Sequence, residues 1–527
     1  MAAIITDVLR VNNARNFIDK VRDPNKSYYT FIGLPNATEV QASWNTAPPS
    51  PRDCLDDDNG YWDNMIALKK IGTDDVRPVV RKVEWASATI YDMYRHDVNR
   101  NNLSRPSNKT SLYASNYFIV NSEFRVYICL NNGIDPENPS GRPSLDEPKF
   151  TDLEPRAAGT SGDGYIWKYL FTISPSDVIK FDSLNFIPLP VDWLTNNDYR
   201  SVRSNATTSG QLKIITITNR GYLVGPPNTT YSRVPIRGDG SGAECTIVVN
   251  NDSRVESVTI SNGGSGYTFG SIDLIGGSVP TGSTTPLFDV IIPPQGGHGA
   301  DIYKELGSTN VLIYSRIENN DQNPDFVTGT NIARIGIVED PLGYSSNTLI
   351  SDDRVSALYG VVLKGLSPNQ DDFKTTSFEP NDFIQQTIGT GSTALGRVVT
   401  YDAETGVLRY WQDRSLVGFN TDGTQRLNPE FGLNLNLFTS SPTTGGDLKI
   451  TGGSKELYID EGFGTDTNPG ISTVINNKTY YLGQTFIAGV ANPEVSKYTG
   501  NIIYVDNRPS ILRSVNQRED IKVILQF

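Results

Sequence analysis

The sequence predicts a mainly β, multi-domain protein: a β-sandwich architecture with a small α/β part near the N-terminus and Gly-rich β modules further along. Three observations carry this reading. The chain has 527 residues, more than one hydrophobic core usually holds, so several domains of roughly 100–200 residues each are expected. Short runs alternate apolar and polar residues with period two, and they are rich in Tyr, Phe, Thr and Val, the residues that suit a pleated surface. Between those runs stand Gly, Pro, Asn and Asp in turn-forming clusters, with 47 Gly and 31 Pro in all.

Helices are few. Ala14, Phe17, Ile18 and Val21 follow i, i+3, i+4, i+7 spacing, with Asn12 or Asn13 as cap and Pro24 as stop. A second helix is expected near Trp62, Met65 and Ile66, ended by Gly72, and Ser176-Asp177 begins a short third one. In Gly162–Phe171 (GDGYIWKYLF) a Gly-Asp-Gly turn launches a strand with Tyr165, Trp167, Tyr169 and Phe171 on one face. Further strands are expected at Tyr117–Val120, Arg125–Leu130, Ile214–Thr218, Val311–Ile317 and Ile335–Val338. A hairpin of Arg397–Tyr401 with Val407–Trp411 closes around the DAETG loop. Ile521, Val523, Leu525 and Phe527 share one face of a last strand, apolar enough to require docking in a sheet.

One internal similarity stands out. Ile215–Tyr222 (ITITNRGY) resembles Val258–Tyr267 (VTISNGGSGY), and Gly238–Ala243 (GDGSGA) recurs loosely as Gly296–Ala300 (GGHGA). Two copies suit a small β-sandwich module better than a propeller or solenoid, which needs three or more. Polar, turn-rich joins fall at Asn205–Gly210, Pro294–Gly299, Gly365–Asp372 and Thr439–Gly453.

Composition excludes several classes. Net charge is −13, from 46 basic and 59 acidic residues, which argues against nucleic acid as the main partner because a duplex binder needs a basic surface. Cys54, Cys129 and Cys245 are widely spaced and form no CxxC, so they are expected to be reduced thiols. The first twenty residues lack the apolar run of a signal peptide, and no stretch approaches the roughly 18 apolar residues of a membrane helix.

No residue set is assigned a catalytic, cofactor-binding or metal-binding role. His96 and His298 are the only histidines, neither has a ligand partner nearby in sequence, and His298 in GGHG reads as a loop residue. The acidic LDDDNG run (Leu55–Gly60) fails as a calcium loop: its first ligand position is Leu55 and its late glutamate position is Ile66, so a solvated turn is expected. Gly389–Arg397 (GTGSTALGR) has the skeleton of a phosphate loop, but Arg397 replaces the lysine and strand residues follow. No GxSxG elbow is present. The Tyr165/Trp167/Tyr169/Phe171 face has two readings, a sugar-stacking platform or a buried face, and aromatic rows at period two favour burial. In Asn507-Arg508-Pro509 the proline keeps Arg508 extended, where its guanidinium is expected to lock a loop by bidentate pairing.

With these motifs in hand, the chain resembles the intermediate baseplate wedge subunit family of T-even-type contractile-tailed phages. The resemblance rests on Gly162–Phe171 (GDGYIWKYLF) and on Tyr504–Ile511 (YVDNRPSI) followed by the closing Glu519–Phe527 (EDIKVILQF). Phe31-Ile32, Ala47-Pro48-Pro49, Arg125–Leu130 and the strands Val311–Ile317 and Ile335–Val338 add support. It covers roughly Met1–Leu194, Gly297–Leu363 and Lys497–Phe527. On that basis residues 1–204, 296–365 and 497–527 form a β frame, residues 205–295 an inserted Gly-rich module with the two-copy repeat, and residues 366–496 a second inserted β module. The resemblance implies a non-enzymatic virion protein assembled in the host cytoplasm, acting as a homodimer. It would contact neighbouring baseplate wedge subunits and move with the baseplate as the sheath is triggered. No cofactor, small-molecule substrate, nucleic acid or membrane partner is implied. The alternative reading is a tail-associated adhesin or polysaccharide-degrading protein.

Overall fold

In the computed structural model the protein is mainly β, built from several antiparallel sheets with an N-terminal helix. The structure describes all residues except 1–3, 36–43, 207, 223, 321–322, 325, 366–369, 377, 390–391, 413–429, 432–435, 443–447, 450–456 and 515. Most of the join expected at Thr439–Gly453, and part of the phosphate-loop-like run, therefore lie outside the described residues.

The chain divides into two compact units. The first comprises Met1–Ile18, Arg77–Leu312 and Val523–Phe527, and the second Asp19–Val76 and Ile313–Lys522. The chain passes between them inside regular elements, the helix Asp7–Val21 and the strands Val76–Arg81, Asn310–Ile317 and Glu519–Gln526.

In the first unit, the strands Phe118–Val120, Arg125–Asn132 and Tyr165–Thr172 make an antiparallel sheet in that order. Cys129 pairs with Trp167 and Val126 with Phe171. The tight turn before Arg125 is fixed by Asn121, whose Oδ1 accepts the N–H groups of Glu123 (2.9 Å) and Arg125 (2.8 Å). Tyr165 and Trp167 are buried, but so are Lys168, Leu170 and Phe171, the register slip between Val126 and Tyr127 turning Phe171 away from the Trp167 face. The strand is thus covered on both sides, where simple alternation predicts one buried face. The expected short helix forms as Pro175–Phe181, with Ser174 Oγ accepting the Asp177 N–H at 3.1 Å as its cap.

The Gly-rich region of this unit has a core of its own. Val255–Ser265, Ser241–Val249, Thr230–Gly238 and Gly270–Ile272 form one sheet in that order, and Ile214–Asn219 pairs with Leu287–Ile291. Val234, Cys245, Ile247, Val249 and Tyr267 are among the residues packed at its centre. The two repeat copies are not equivalent. Tyr267 is buried, its hydroxyl accepting from Ala243 N and donating to Ile236 O, whereas Tyr222 is largely exposed with Arg254 over its ring. A sequence similarity of eight or so residues cannot distinguish a core strand from a ribbon edge.

The second unit contains a sheet ordered Arg354–Ser356, Met65–Lys70, Tyr28–Gly33, Asn331–Glu339 and Asn501–Leu512. Every residue of Tyr28–Gly33 is buried. The helix expected around Trp62, Met65 and Ile66 ends at Asn64, and Met65–Lys70 is a strand. Met65, Ile66, Ala67 and Leu68 are all buried, and a continuous apolar run of this length suits a strand covered on both faces. Leu55–Gly60 is not a turn but the start of the helix Leu55–Asn64, with Asp56, Asp57 and Asp58 in the first turn, where the helix dipole favours negative charge. The N-terminal helix also starts earlier than its pattern suggests, at Asp7 instead of after Asn12 or Asn13. Its first turn carries exposed Val8 and Leu9, so the buried face of Val11, Ala14 and Ile18 marks only part of its length.

Further strands of this unit close into a barrel. Phe383–Gly389, Ser392–Asp402, Val407–Trp411, Tyr359–Lys364, Leu457–Ile459 and Asn436–Pro442 pair successively, and the last pairs back to the first. Closure removes the free edges an open sheet would carry. Val361 and Leu363, Leu408 and Tyr410, and Leu457 and Ile459 point inward at period two and fill it. The expected hairpin is part of it, with Arg397 opposite Trp411 and Tyr401 opposite Leu408. A further hairpin, Gly470–Ile475 with Lys478–Phe486, turns through Asn476 and Asn477, both at positive φ, as a two-residue type I′ turn requires.

Candidate functional site

The polar centre of the first unit is assembled around GGHGA. Gly296, Gly297 and Gly299 all adopt positive φ, and a Cβ on Gly297 would collide with the carbonyl of Ala206. His298 is a loop residue as its surroundings suggest, and this backbone turns it inward so that it is also buried. His298 Nδ1 lies 2.6 Å from Glu305 Oε1, and Glu305 Oε2 accepts the Gly299 N–H at 2.7 Å. Glu305 closes the short helix Ile302–Glu305, which Asp301 caps by accepting the N–H groups of Tyr303 and Lys304. The Tyr94 ring meets His298 edge-on at 4.7 Å, and Trp193 Nε1 donates to Gly299 O at 3.1 Å. Both carboxylate oxygens of Glu305 are therefore engaged in holding the loop.

Lys168 stands close by, buried on the face of its strand opposite Trp167. Its Nζ donates to Leu153 O and to Asn205 Oδ1, each at 2.8 Å. Asn205 Nδ2 donates to Glu154 Oε1 at 2.7 Å, and Lys213 pairs with the other oxygen of Glu154 at 3.2 Å. Burial holds the Lys168 ammonium down to a pKa of about 8, while the hydrogen bond from Asn205 keeps the Glu154 carboxyl below its ordinary value. Lys168, Asn205, Lys213 and His298 line a small cavity of about 20 Å³, room for one water-sized molecule.

A larger cleft of about 240 Å³ lies where the Gly-rich strands meet the rest of this unit, lined by Met93, Arg95, Arg105, Asp135, Thr216 and Asp289 among others. Arg95 holds Asp97 through two N–H groups (2.9 and 2.8 Å) and reaches Asp289 at 3.1 Å. Beside it, His96 Nδ1 accepts the N–H of Ile292 at 3.2 Å, and burial lowers its pKa. Arg220 makes a second tie, donating through Nε to both oxygens of Glu137 and through Nη1 to the carbonyls of Val255 and Glu256.

The other residues singled out in the sequence are dispersed. Arg397 is buried in the barrel wall over the rings of Phe383 and Trp411. Arg508 is largely exposed and its Nε pairs with Asp506, two residues back, at 2.6 Å. The loop beside it is locked by other groups: Trp44 Nε1 donates to Arg508 O, Asn507 Nδ2 to Pro49 O, and Ser510 N to Asn45 Oδ1. Cys54 is exposed, Cys129 and Cys245 are buried, and all three are free thiols. Among the described residues no three His, Cys, Asp or Glu side chains gather closely enough to hold a metal, and no helix is long and apolar enough to cross a membrane. The sequence reading missed Lys168, Asn205, Glu154 and Glu305. Its one usable signal was a lysine set inside an otherwise aromatic and aliphatic strand.

No curated protein matches the chain. Residues 3–145 match the family model described as Bacteriophage T4, Gp8, a baseplate wedge protein, and that match marks the chain as similar to a structural protein of the phage baseplate.

Proposed function

We propose that this protein is a structural subunit of the baseplate wedge of a contractile phage tail, joining neighbouring wedge proteins and moving with them when the baseplate rearrangement triggers sheath contraction. The observation that carries the reading is the family match over residues 3–145. The densest polar clusters support it, since their groups are spent on one another: Glu305 on His298 and Gly299, and Arg95 on Asp97 and Asp289. The working form is a homodimer. Supporting surfaces include the strand Asn501–Leu512, where Ile503, Ile511 and Leu512 are exposed, because exposed apolar side chains gathered on one element suit an interaction surface.

The Gly-rich residues 205–295 and the segment 366–496 act as inserted modules on a β frame. A core of its own centred on Ile247 supports the first, and the barrel core around Tyr410, which also takes in Val361 and Leu363, supports the second with its start moved back to the strand Tyr359–Lys364. At the end of the first module the two cores interleave, with Ile291 packed in the frame's core and Val290 and Ile292 in the module's. The adhesin or polysaccharide-degrading alternative gains nothing from the aromatic strand, because Tyr165, Trp167 and Phe171 are buried.

A density map of intact tails from the phage that encodes this chain tests the proposal. Density for the chain in the ring of wedge proteins, in paired copies, is the expected result. Its location at a fibre tip, or its absence from the particle, overturns the reading.

A further inference from the structure

We propose that Lys168 and Asn205 become joined by an intramolecular isopeptide bond, formed by the folded protein itself with Glu154 as the proton carrier. The two side chains already meet, with Lys168 Nζ 2.8 Å from Asn205 Oδ1, one covalent bond away from the Cγ that would be attacked. Glu154 Oε1 touches the nitrogen that would leave, 2.7 Å from Asn205 Nδ2. The lysine is only 3% exposed, and the nearby Glu154 and Glu305 carboxylates only partly offset its desolvation. A buried amine with a pKa near 8 is neutral in a substantial fraction of molecules at neutral to mildly alkaline pH, and the neutral amine is the nucleophile.

The reaction balances without any added reagent. The neutral Nζ attacks Cγ of Asn205 and forms a C–N bond. One proton leaves Nζ, passes through the Glu154 carboxylate and arrives on Nδ2. The Cγ–Nδ2 bond breaks, ammonia departs, and a secondary amide remains. The small cavity lined by Lys168 and Asn205 can receive a molecule of that size. Holding the Asn205 amide against the amine on one side and the carboxylate on the other converts a very slow bimolecular aminolysis into an intramolecular one, where orientation supplies much of the acceleration.

The cross-link would fasten the middle of the strand Tyr165–Thr172 to the end of the helix Arg200–Asn205. That helix end is where the Gly-rich region begins. A bond there resists separation by force, which non-covalent packing does only within its stability margin.

Intact-mass measurement of the full-length protein, followed by proteolysis and peptide sequencing, tests this. The expected result is a chain lighter than its sequence by one ammonia, together with a branched peptide joining the segments around Lys168 and Asn205. Because Lys168 is buried, its replacement also perturbs packing, so the informative variants are Asn205→Ala and Glu154→Gln, at less buried positions. Asn205→Ala should have the full sequence mass, and Glu154→Gln should show strongly slowed or absent linkage while melting cooperatively. Linear peptides carrying unmodified Lys168 and Asn205 from aged wild-type protein overturn the proposal. Complete linkage in Glu154→Gln overturns the role given to Glu154.

Discussion

His298 Nδ1 and Glu305 Oε1 lie 2.6 Å apart with both side chains buried, and the same carboxylate accepts the Gly299 N–H through its other oxygen. One acidic group thus fixes both a side chain and the backbone of a loop rich in left-handed glycines. Glu305→Ala strands two buried partners, each costing about 1–3 kcal/mol when left unsatisfied. The variant should melt several degrees below wild type, and Glu305→Gln, which keeps an acceptor of the same shape, should lose less. Equal melting of Glu305→Ala and wild type contradicts this account of the loop.

Trp167 stacks on Tyr165 at 5.2 Å and meets Tyr91 edge-on at 5.9 Å, with no exposed surface. Truncation to Ala typically costs about 3–5 kcal/mol at such a position, a large share of a margin of about 5–15 kcal/mol. Trp167→Ala should therefore melt much earlier or fail to accumulate in soluble form. A variant that melts normally but loses binding to a surface polysaccharide would return the aromatic strand to the platform reading.

His96 gives the protein a predictable acid sensitivity. Burial lowers its folded-state pKa below the ordinary 6.5, with Arg95 adding to the shift and Asp97 and Asp289 opposing it. In the neutral form Nδ1 accepts the Ile292 N–H. The unfolded chain binds the proton more readily, so this contribution is fully present above pH 6.5 and is lost as pH falls through the lowered folded value. Melting temperature should rise with pH below 6.5, and His96→Gln should flatten that part of the profile. An unchanged slope in the variant assigns the acid sensitivity to other groups.

In the second unit Arg513 is fully buried, pairing with Glu519 at 3.2 Å and donating to the carbonyl of Phe326 at 2.7 Å. Its own N–H and C=O bond Thr330 O and Gly329 N. Arg513→Met keeps the apolar stem but removes the donors, leaving the Phe326 carbonyl without this partner. A loss of about 1–3 kcal/mol is expected, with faster proteolysis near residues 326–330. Protection of that segment equal to wild type counts against the clamp.

Sedimentation offers a direct check on the homodimer. An obligate interface buries on the order of 2,000 Å² or more, so the dimer should persist at micromolar concentration and below. A monomer throughout that range removes self-association as an intrinsic property of the free chain.

What could be read in the sequence follows from how local each signal is. The hairpin around Asp402 and Val407 depends on adjacent alternation and a Gly-containing turn, and it forms as expected. So does the capped helix at Ser174. Met65–Leu68 was misread because a run buried on both faces has no period, and only its neighbours in the sheet decide between helix and strand. The His298–Glu305 pair was missed although its members are seven residues apart, because three glycines redirect the backbone between the expected loop and the core. Lys168, Asn205 and Glu154 meet across tens of residues, and nothing in their local patterns predicts the encounter.

The interleaving of the two units sets a constraint on how the protein is made. Residues 19–76 of the second unit emerge from the ribosome before almost all of the first, and wait until residues 313–522 are synthesised for their partners. Elongation at about 5–20 residues per second makes that interval many seconds long. During it Tyr28–Gly33, wholly buried in the finished fold, has neither Asn331–Glu339 nor Arg354–Ser356 to complete its sheet. High-yield expression should therefore depend on chaperones that hold apolar nascent strands, more than the stability of the finished molecule would suggest.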